Sequence, residues 1–162
     1  MVAERPVDPD VDLRVPEQRR EFRRDPWETL AAIAVGGAIG ALSRYELSHA
    51  FPYGPGDFPW VVFWINVTGC LLIGVLMVLV TETWQVHRLI RPFLGVGVLG
   101  GFTTFSTYAV DIQRTVDADA PRVALAYLAL TLVTALVATL AGMRLTRAVT
   151  RRAERRAGES GE

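Results

Sequence analysis

The chain has 162 residues, of which 51% are hydrophobic and 21% are charged, and its mean hydropathy is +0.27. Its 17 basic residues, all arginine, balance 17 acidic residues, so no bulk positive charge favours a nucleic-acid partner. The single cysteine excludes an intrachain disulfide, and the two histidines stand alone, so no zinc-site spacing is present. The length fits one domain.

Four long stretches contain no charged residue, and they predict four membrane-spanning helices. A helix rises about 1.5 Å per residue across a hydrocarbon layer of about 30 Å, so about 20 apolar residues suffice. The second and fourth stretches reach that length, the third is just long enough, and the first needs flanking residues such as Trp27 at the interface. The stretches are residues 29–43, 58–81, 92–110 and 123–143.

The remaining segments are rich in charge and divide the chain into three parts. Residues 1–26 combine four prolines with dense charge and predict a disordered N-terminal tail. Residues 27–143 form the four-span domain, in which a turn-rich loop around Gly54 joins the first two spans. Residues 144–162 predict a charged helical extension that frays at Gly158.

The arginines also predict an orientation in the cell membrane. With four spans, both tails and the second loop share one side, and twelve arginines lie there near the membrane. The other side holds three, namely Arg44, Arg114 and Arg122. Because positively charged residues stay on the cytoplasmic side, we expect a multi-pass protein with both termini in the cytoplasm.

Few polar residues interrupt the predicted spans. Asn66 shares a helix face with Cys70 and Gly74, and its carboxamide either lines an ion path or hydrogen-bonds to another helix. Arg44 closes the first span, and we expect it to act as an interfacial anchor whose guanidinium reaches lipid headgroups or a vestibule. No acidic or basic residue is expected deep in a span. This pattern argues against a proton-coupled transporter and offers no catalytic pair for an enzyme.

The third span carries an unusual run, Gly-Gly-Phe-Thr-Thr-Phe-Ser-Thr-Tyr, from Gly100 to Tyr108. Two adjacent glycines followed by four hydroxyl residues predict a local break in the helix. Such breaks expose backbone carbonyls that can bind a cation. After the break, Phe105 and Tyr108 share a face. Their ring edges are partly positive and suit an anion path, although simple core packing is the alternative.

Two further patterns concern packing and hydroxyl groups. Tyr127, Thr131 and Thr134 form one stripe on the fourth span, which is either a hydroxyl track or a set of groups bonded to their own helix. Two pairs of glycines have the four-residue spacing that lets membrane helices approach closely. These pairs are Gly36 with Gly40, and Gly97 with Gly101.

Three motifs in this order resemble those of the CrcB/Fluc fluoride channels. The motifs are GGAIGALSRY from Gly36 to Tyr45, NVTG from Asn66 to Gly69 with Gly74, and the run from Gly97 to Tyr108. The third is the most distinctive, because the family's hallmark is a GG-x-TTFSTF-like sequence. The resemblance covers about Leu30 to Gly142.

This resemblance implies an all-α membrane protein with four transmembrane helices per subunit, the third broken in mid-membrane. It implies an antiparallel dimer with two fluoride pores that export fluoride passively and so reduce its toxicity in the cytoplasm. It also implies a central structural Na⁺ held by the backbone carbonyls of Gly100 and Thr103. The residues that it places along the fluoride path are Asn66, Thr104, Phe105, Ser106, Tyr108, Tyr127 and Thr131.

The sequence departs from the family pattern at two positions. Tyr108 replaces the motif's second phenylalanine, and Ala135 stands where another hydroxyl is common, although Thr134 would partly replace it. One of the two pores of a dimer would then be impaired. The uneven distribution of arginines also favours a single orientation, so the partner would be either a second copy or an oppositely oriented paralogue.

Other functions are still open at this stage. A small multidrug exporter also has four spans, but it needs a carboxylate in the first span, where residues 29–43 have none. A non-conducting membrane scaffold would use the small residues and threonines for helix packing only. A partner subunit of a heteromeric fluoride channel is the related alternative.

Overall fold

The computed structural model describes residues 26–83 and 88–159, and the described secondary structure is helical. Except for Pro26, the predicted disordered tail lies outside the described residues. Four helices are long and apolar enough to cross a membrane, which confirms the number of predicted spans. In order, the first to fourth spans are Trp27–Ala50, Trp60–Glu82, Arg91–Asp117 and Pro121–Arg152.

Three of the spans are continuous helices. Helix α1 (Pro26–Ala50) forms the first span, and α2 (Trp60–Val78) with a π-helical turn at Leu79–Thr83 forms the second. The last helix, Pro121–Glu159, has 39 residues and continues past the fourth span, so the predicted charged extension belongs to the same helix. The first and last helices begin with proline, which suits a position where the backbone N–H has no helical partner.

The third span consists of two halves. Its first half is a π-helical segment, Arg91–Leu99, followed by one turn of α-helix, α3 (Gly100–Phe102). The second half is α4 (Ser106–Asp117), and the last helix, Pro121–Glu159, is α5. A tight turn joins α4 to α5, with Asp119 in the left-handed region at φ 60°, which aspartate adopts more readily than most residues.

The helices extend beyond the charge-free stretches, and two predicted boundaries are wrong. Arg44 does not close the first span, because α1 continues to Ala50. Asp111 does not lie in the loop between the third and fourth spans, because α4 includes it and continues to Asp117. Charged side chains therefore do occur within the helices that would cross the membrane.

Glycines allow the first and third spans to pack at close range. A Cβ atom on Gly40 would lie 2.1 Å from the carbonyl oxygen of Val98, and one on Gly97 would lie 2.9 Å from that of Ile33. Real Cβ atoms do not approach backbone oxygens so closely. The predicted packing role of the glycine pairs is confirmed.

A second close contact joins α2 to α5, the two helices that share the longest interface. A Cβ atom on Gly74 would lie 2.3 Å from the Thr139 carbonyl oxygen, and one on Gly142 would lie 2.4 Å from that of Leu71. The bundle thus consists of two tight helix pairs. The polar residues of the second, third and fourth spans meet between these pairs.

Most large apolar side chains lie on the outside of the described bundle. Val62, Phe63, Ile65 and Tyr127 are among the few that are buried, whereas Trp64, Leu132 and many others are exposed. Exposed apolar side chains on long helices are suited to contact with lipid tails. The core is small because apolar side chains that contact lipid tails are already removed from water and need not be buried in the protein.

Candidate functional site

Asn66 joins the second span to the gap between α3 and α4. Its Nδ2 atom donates to the Thr104 carbonyl oxygen at 3.0 Å, and its Oδ1 atom accepts from the Thr104 N–H at 2.8 Å. These bonds satisfy both backbone groups of a residue that lies outside regular helix. Asn66 therefore makes an interhelical contact, one of its two predicted roles, and one N–H of its carboxamide is not used by this pair of bonds.

The chain between α3 and α4 is held by the side chains of its own threonines. Thr103 has extended backbone angles, φ −74° and ψ 157°, so the helical path ends at Phe102 and resumes at Ser106. The Thr104 hydroxyl accepts from the Thr107 N–H at 3.1 Å and thereby caps the start of α4. Ser106 lies 3.3 Å from the same hydroxyl. The hydroxyl residues of the run thus organise the gap itself.

This hydrogen-bonding pattern leaves two backbone carbonyls without their helical donors. In a continuous helix the Thr104 N–H would bond to Gly100, and the Thr107 N–H would bond to Thr103. Here the Thr104 N–H donates to the Asn66 side chain instead, and the Thr107 N–H donates to the Thr104 hydroxyl. Gly100 and Thr103 are the two residues that the family resemblance assigns to sodium. Hard cations prefer oxygen ligands such as backbone carbonyls, so the carbonyl oxygens of these two residues fit a sodium ion.

A cavity of about 260 Å³ opens beside this gap and is lined by residues from the second, third and fourth spans. Five of the seven residues predicted for the fluoride path line it: Asn66, Thr104, Phe105, Tyr108 and Thr131. Cys70 and Ala135 also contribute to its wall. Ser106 and Tyr127 are not among the lining residues, although both contact residues that are.

The two aromatic rings of the third span are placed differently. The Phe105 ring is 79% exposed, so it does not fill the core of this chain. The Tyr108 ring lies between it and Tyr127, with centroids 5.8 Å and 5.1 Å away. The Tyr108 hydroxyl donates to the Leu128 carbonyl oxygen at 2.9 Å, so the extra hydroxyl is held by the fourth span.

The three hydroxyl residues on the stripe of the fourth span differ in their hydrogen bonding. Thr134 donates to the carbonyl of Leu130 at 2.6 Å, so its hydroxyl is bonded within its own helix and does not replace the missing one at Ala135. The hydroxyls of Tyr127 and Thr131 are buried and have no hydrogen-bond partner among the described residues. Buried polar groups are normally paired, so two neighbouring unpaired hydroxyls are suited to receive a polar ligand.

Arg44 contacts the third span rather than marking an end of the first. Its Nε atom donates to the Gly101 carbonyl oxygen at 3.2 Å, and the side chain is partly buried. Gly101 is adjacent to Gly100, so a fixed positive charge lies near the gap. The predicted role of Arg44, to reach headgroups or a vestibule, stays a prediction, and the structure adds this contact with the third span.

Asp111 is a buried carboxylate that the sequence did not indicate as a site residue. Only 1% of it is exposed, one of its oxygens accepts from the Tyr53 hydroxyl at 2.7 Å, and the other has no hydrogen-bond partner among the described residues. Arg114 lies 3.8 Å from that second oxygen. Burial, and then the bond to Asp111, raise the pKa of Tyr53, so this tyrosine remains a hydrogen-bond donor at physiological pH.

Comparison with known proteins agrees with this architecture. Residues 31–143 match the model of the family described as CrcB-like protein, Camphor Resistance (CrcB). The chain belongs to this family. The match includes the second and third spans, most of the first and fourth, and every residue of the candidate site, from Arg44 to Ala135.

Several relatives in the CrcB family are similar over most of the chain. The fluoride-specific ion channel FluC 2 of Streptomyces avermitilis is 54% identical over 77% of this chain and 79% of its own length. The protein of the same name from Nocardia farcinica is 53% identical over 78% of this chain and 90% of its own length. Streptomyces avermitilis also has a FluC 3, which is 49% identical over 52% of this chain and 42% of its own length.

Membership of the CrcB family decides between the readings that the sequence left open. A small multidrug exporter is not favoured, because the family match covers residues 31–143, which include most of the four-span region. Sequence patterns located Asn66 and the third-span run, but they missed Asp111. The sequence contains only a weak indication of Asp111. Asp111 lies three residues after Tyr108, so the two residues share a face if the helix continues. The charge of Asp111, however, predicts the end of the third span.

Proposed function

We propose that this chain forms a fluoride-selective channel that lets fluoride leave the cell passively and so lowers its toxicity in the cytoplasm. The observation that carries this proposal is the cavity beside the helix gap, where a carboxamide, two aromatic rings and an unpaired threonine hydroxyl meet. The names of the relatives, fluoride-specific ion channels, support the choice of ion.

The donors around this cavity suit a small, strongly hydrated anion. A pore must replace the water around such an ion with hydrogen-bond donors. The unused N–H of Asn66 and the unpaired hydroxyls of Thr131 and Tyr127 supply donors, and the ring edges of Phe105 and Tyr108 supply partial positive charge. The fluoride path therefore runs from the exposed Phe105 along the α5 stripe to Tyr127, with Thr104 and Ser106 at the gap.

Asp111 and Tyr53 are placed to form the far end of this path. The ring of Tyr127 lies between Tyr108 and Phe58 of the first loop, with centroids 5.1 Å and 5.2 Å away, so the stripe leads towards that loop. A carboxylate there would repel an anion unless its negative charge were offset. The hydrogen bond donated by Tyr53 and the guanidinium of Arg114, 3.8 Å away, partly offset that charge.

A sodium ion at the gap would make the passage of an anion less costly. Its ligands in this chain would be the carbonyl oxygens of Gly100 and Thr103, whose helical donors are diverted to other partners. Bound there, the ion supplies a fixed positive charge near the path. The guanidinium of Arg44, bonded to Gly101, adds to the positive potential.

Two subunits are needed to complete such a site. Two carbonyls are fewer oxygens than a hard cation takes, which for Ca²⁺ is about six to eight. A second copy related by a two-fold axis would supply an equal set and would also cover the exposed Phe105 ring. The gap lies halfway along the third span, since Thr104 is equally far from Arg91 and Asp117, and so falls near mid-membrane. There an antiparallel partner would present its own gap at the same depth.

Fluoride efflux from liposomes tests the channel directly. The purified full-length chain, reconstituted alone, is expected to release fluoride rapidly and chloride slowly, as recorded by ion-selective electrodes. Phe105→Ile should abolish the flux, because it removes the exposed aromatic ring from the cavity. Leu132→Ile is the matched control. It changes the shape but not the polarity of a side chain in the same cavity wall, and the variant should retain the fluoride flux.

A partner subunit is the second candidate, and the same assay distinguishes it. Streptomyces avermitilis has both a FluC 2 and a FluC 3, so two such proteins occur together in one organism. If the chain is silent alone but active after co-expression with a paralogue from its own genome, it is half of a heteromeric channel. Silence in both cases would contradict the channel and favour a scaffold.

A further inference from the structure

Two ion pairs bring the charged ends of all four spans together on one side of the bundle. Glu28, in the first turn of α1, pairs with Arg88 of the second loop. Glu82, at the end of the second span, accepts three hydrogen bonds from Arg147 of α5, at 2.6 Å, 2.9 Å and 3.1 Å. Since Arg91 begins the third span, these contacts define one face, here called the basic end.

Arginines outnumber acids at the basic end. Among the side chains that the structure describes there, six are arginines and two are glutamates, and both glutamates are already paired. Arg91, Arg144, Arg151 and Arg152 are exposed and have no acidic partner within that described set. The opposite end has four exposed acids, Glu46, Asp57, Asp117 and Asp119, beside Arg114 and Arg122.

The charge pattern of α5 places its three unpaired arginines, Arg144, Arg151 and Arg152, after the apolar stretch and so at the membrane surface. A helix of 39 residues is about 58 Å long, whereas the hydrocarbon layer is about 30 Å thick. The last apolar stretch ends at Met143, and Arg144 and Arg151 follow on one helix face, about 10 Å apart along the axis. Both therefore lie within about one Debye length of the headgroups.

We infer that the basic end is a binding surface for anionic phospholipid headgroups in the leaflet that faces it. Arginine binds phosphate with two parallel N–H groups, and every basic residue here is arginine. Lipid headgroups are the ligand that is always present at this depth. The two ion pairs connect the span ends on this side, so the exposed guanidiniums lie on one face of the bundle.

Lipid selectivity at the protein boundary tests this inference without reference to ion flux. In phosphatidylcholine vesicles, electron paramagnetic resonance compares the association of spin-labelled phosphatidylglycerol and spin-labelled phosphatidylcholine with the full-length protein. We expect a preference for phosphatidylglycerol of at least about threefold at low salt, decreasing as salt is raised. Equal association of the two lipids would overturn the inference.

Variants locate the preference at the basic end. The triple change Arg144→Gln, Arg151→Gln and Arg152→Gln leaves the Glu82–Arg147 pair in place and should remove most of the preference. The corresponding triple change to lysine retains the charge and should retain most of the effect. Arg122→Gln, an exposed arginine at the opposite end, should have little effect. An unchanged preference in the glutamine variant would contradict the assignment.

Discussion

Individual polar residues of this chain act in pairs that bridge distant parts of the sequence. Asn66 bonds to Thr104, Arg44 to Gly101 and Tyr53 to Asp111. Each pair satisfies a polar group that would otherwise be costly within a bilayer. The sequence indicated Asn66 as important because it is a lone carboxamide in an apolar span. It did not indicate the partner, since no local spacing connects residues that lie tens of positions apart.

Asn66→Leu tests the clamp on the helix gap. Leucine has a similar volume but makes neither bond, so the N–H and carbonyl of Thr104 would lose their partners. We expect the variant to unfold at a lower temperature, corresponding to about 1–3 kcal/mol, and to lose fluoride flux. The measurement is thermal unfolding of the purified protein in detergent.

Cys70→Ala is the control for this change. Cys70 is one turn further along the same face and lines the same cavity, but it is a free thiol without an assigned structural bond. Its replacement should leave the unfolding temperature much closer to that of the wild type. Equal stability of the Asn66→Leu variant and the wild type would show that the clamp contributes little.

Tyr108→Phe addresses the position where the chain departs from the family motif. The hydroxyl is bonded to the Leu128 carbonyl, so it is held at the wall of the cavity. We therefore expect fluoride flux to stay within about threefold of the wild type, with a small loss of stability from the missing hydrogen bond, about 1 kcal/mol. A much larger change in liposome efflux would mean that the hydroxyl itself contacts the ion.

At the scale of elements, the number of spans was predictable and their ends were not. Gaps between charges predict a helix wherever about 20 apolar residues lie together. Gaps between charges give the wrong helix end where a charged residue is hydrogen-bonded inside the bundle, as Arg44 and Asp111 are. The interruption of the third span followed from its adjacent glycines and hydroxyls. Its detailed form depends on Asn66, which is supplied by another helix.

Gly40→Ala tests the close packing of the first and third spans. A Cβ atom there would lie 2.1 Å from the Val98 carbonyl oxygen, so one of the helices must move. Overpacking of this kind costs about 1–3 kcal/mol, and we expect a lower unfolding temperature. Gly37→Ala is the matched control on the same helix, because a Cβ atom there would meet no atom within 4 Å. Equal unfolding temperatures for the two variants would contradict the packing argument.

The described residues are distributed asymmetrically by charge, and this asymmetry predicts which dimers the chain would form in the cell. The basic end carries Arg91 and the unpaired arginines of α5, whereas exposed acids predominate at the opposite end. Insertion that leaves arginine in the cytoplasm is favoured, so nearly all copies should adopt one orientation. An antiparallel dimer needs both orientations, so in the cell most copies would need an oppositely oriented partner. Subunits purified in detergent are not held to one orientation, so in the liposome assay two copies of the chain can still pair.

Reporter fusions to the C-terminus test this last prediction. With the chain expressed alone, a fluorescent protein that folds only in the cytoplasm should give a strong signal, and a phosphatase that is active only outside should give little. Co-expression with a paralogue of opposite charge bias should restore or increase fluoride efflux, because the paralogue supplies the inverted subunit. If the chain alone gives efficient fluoride efflux and signals from both reporters, it inserts in both directions. The arginine distribution would then not control its topology.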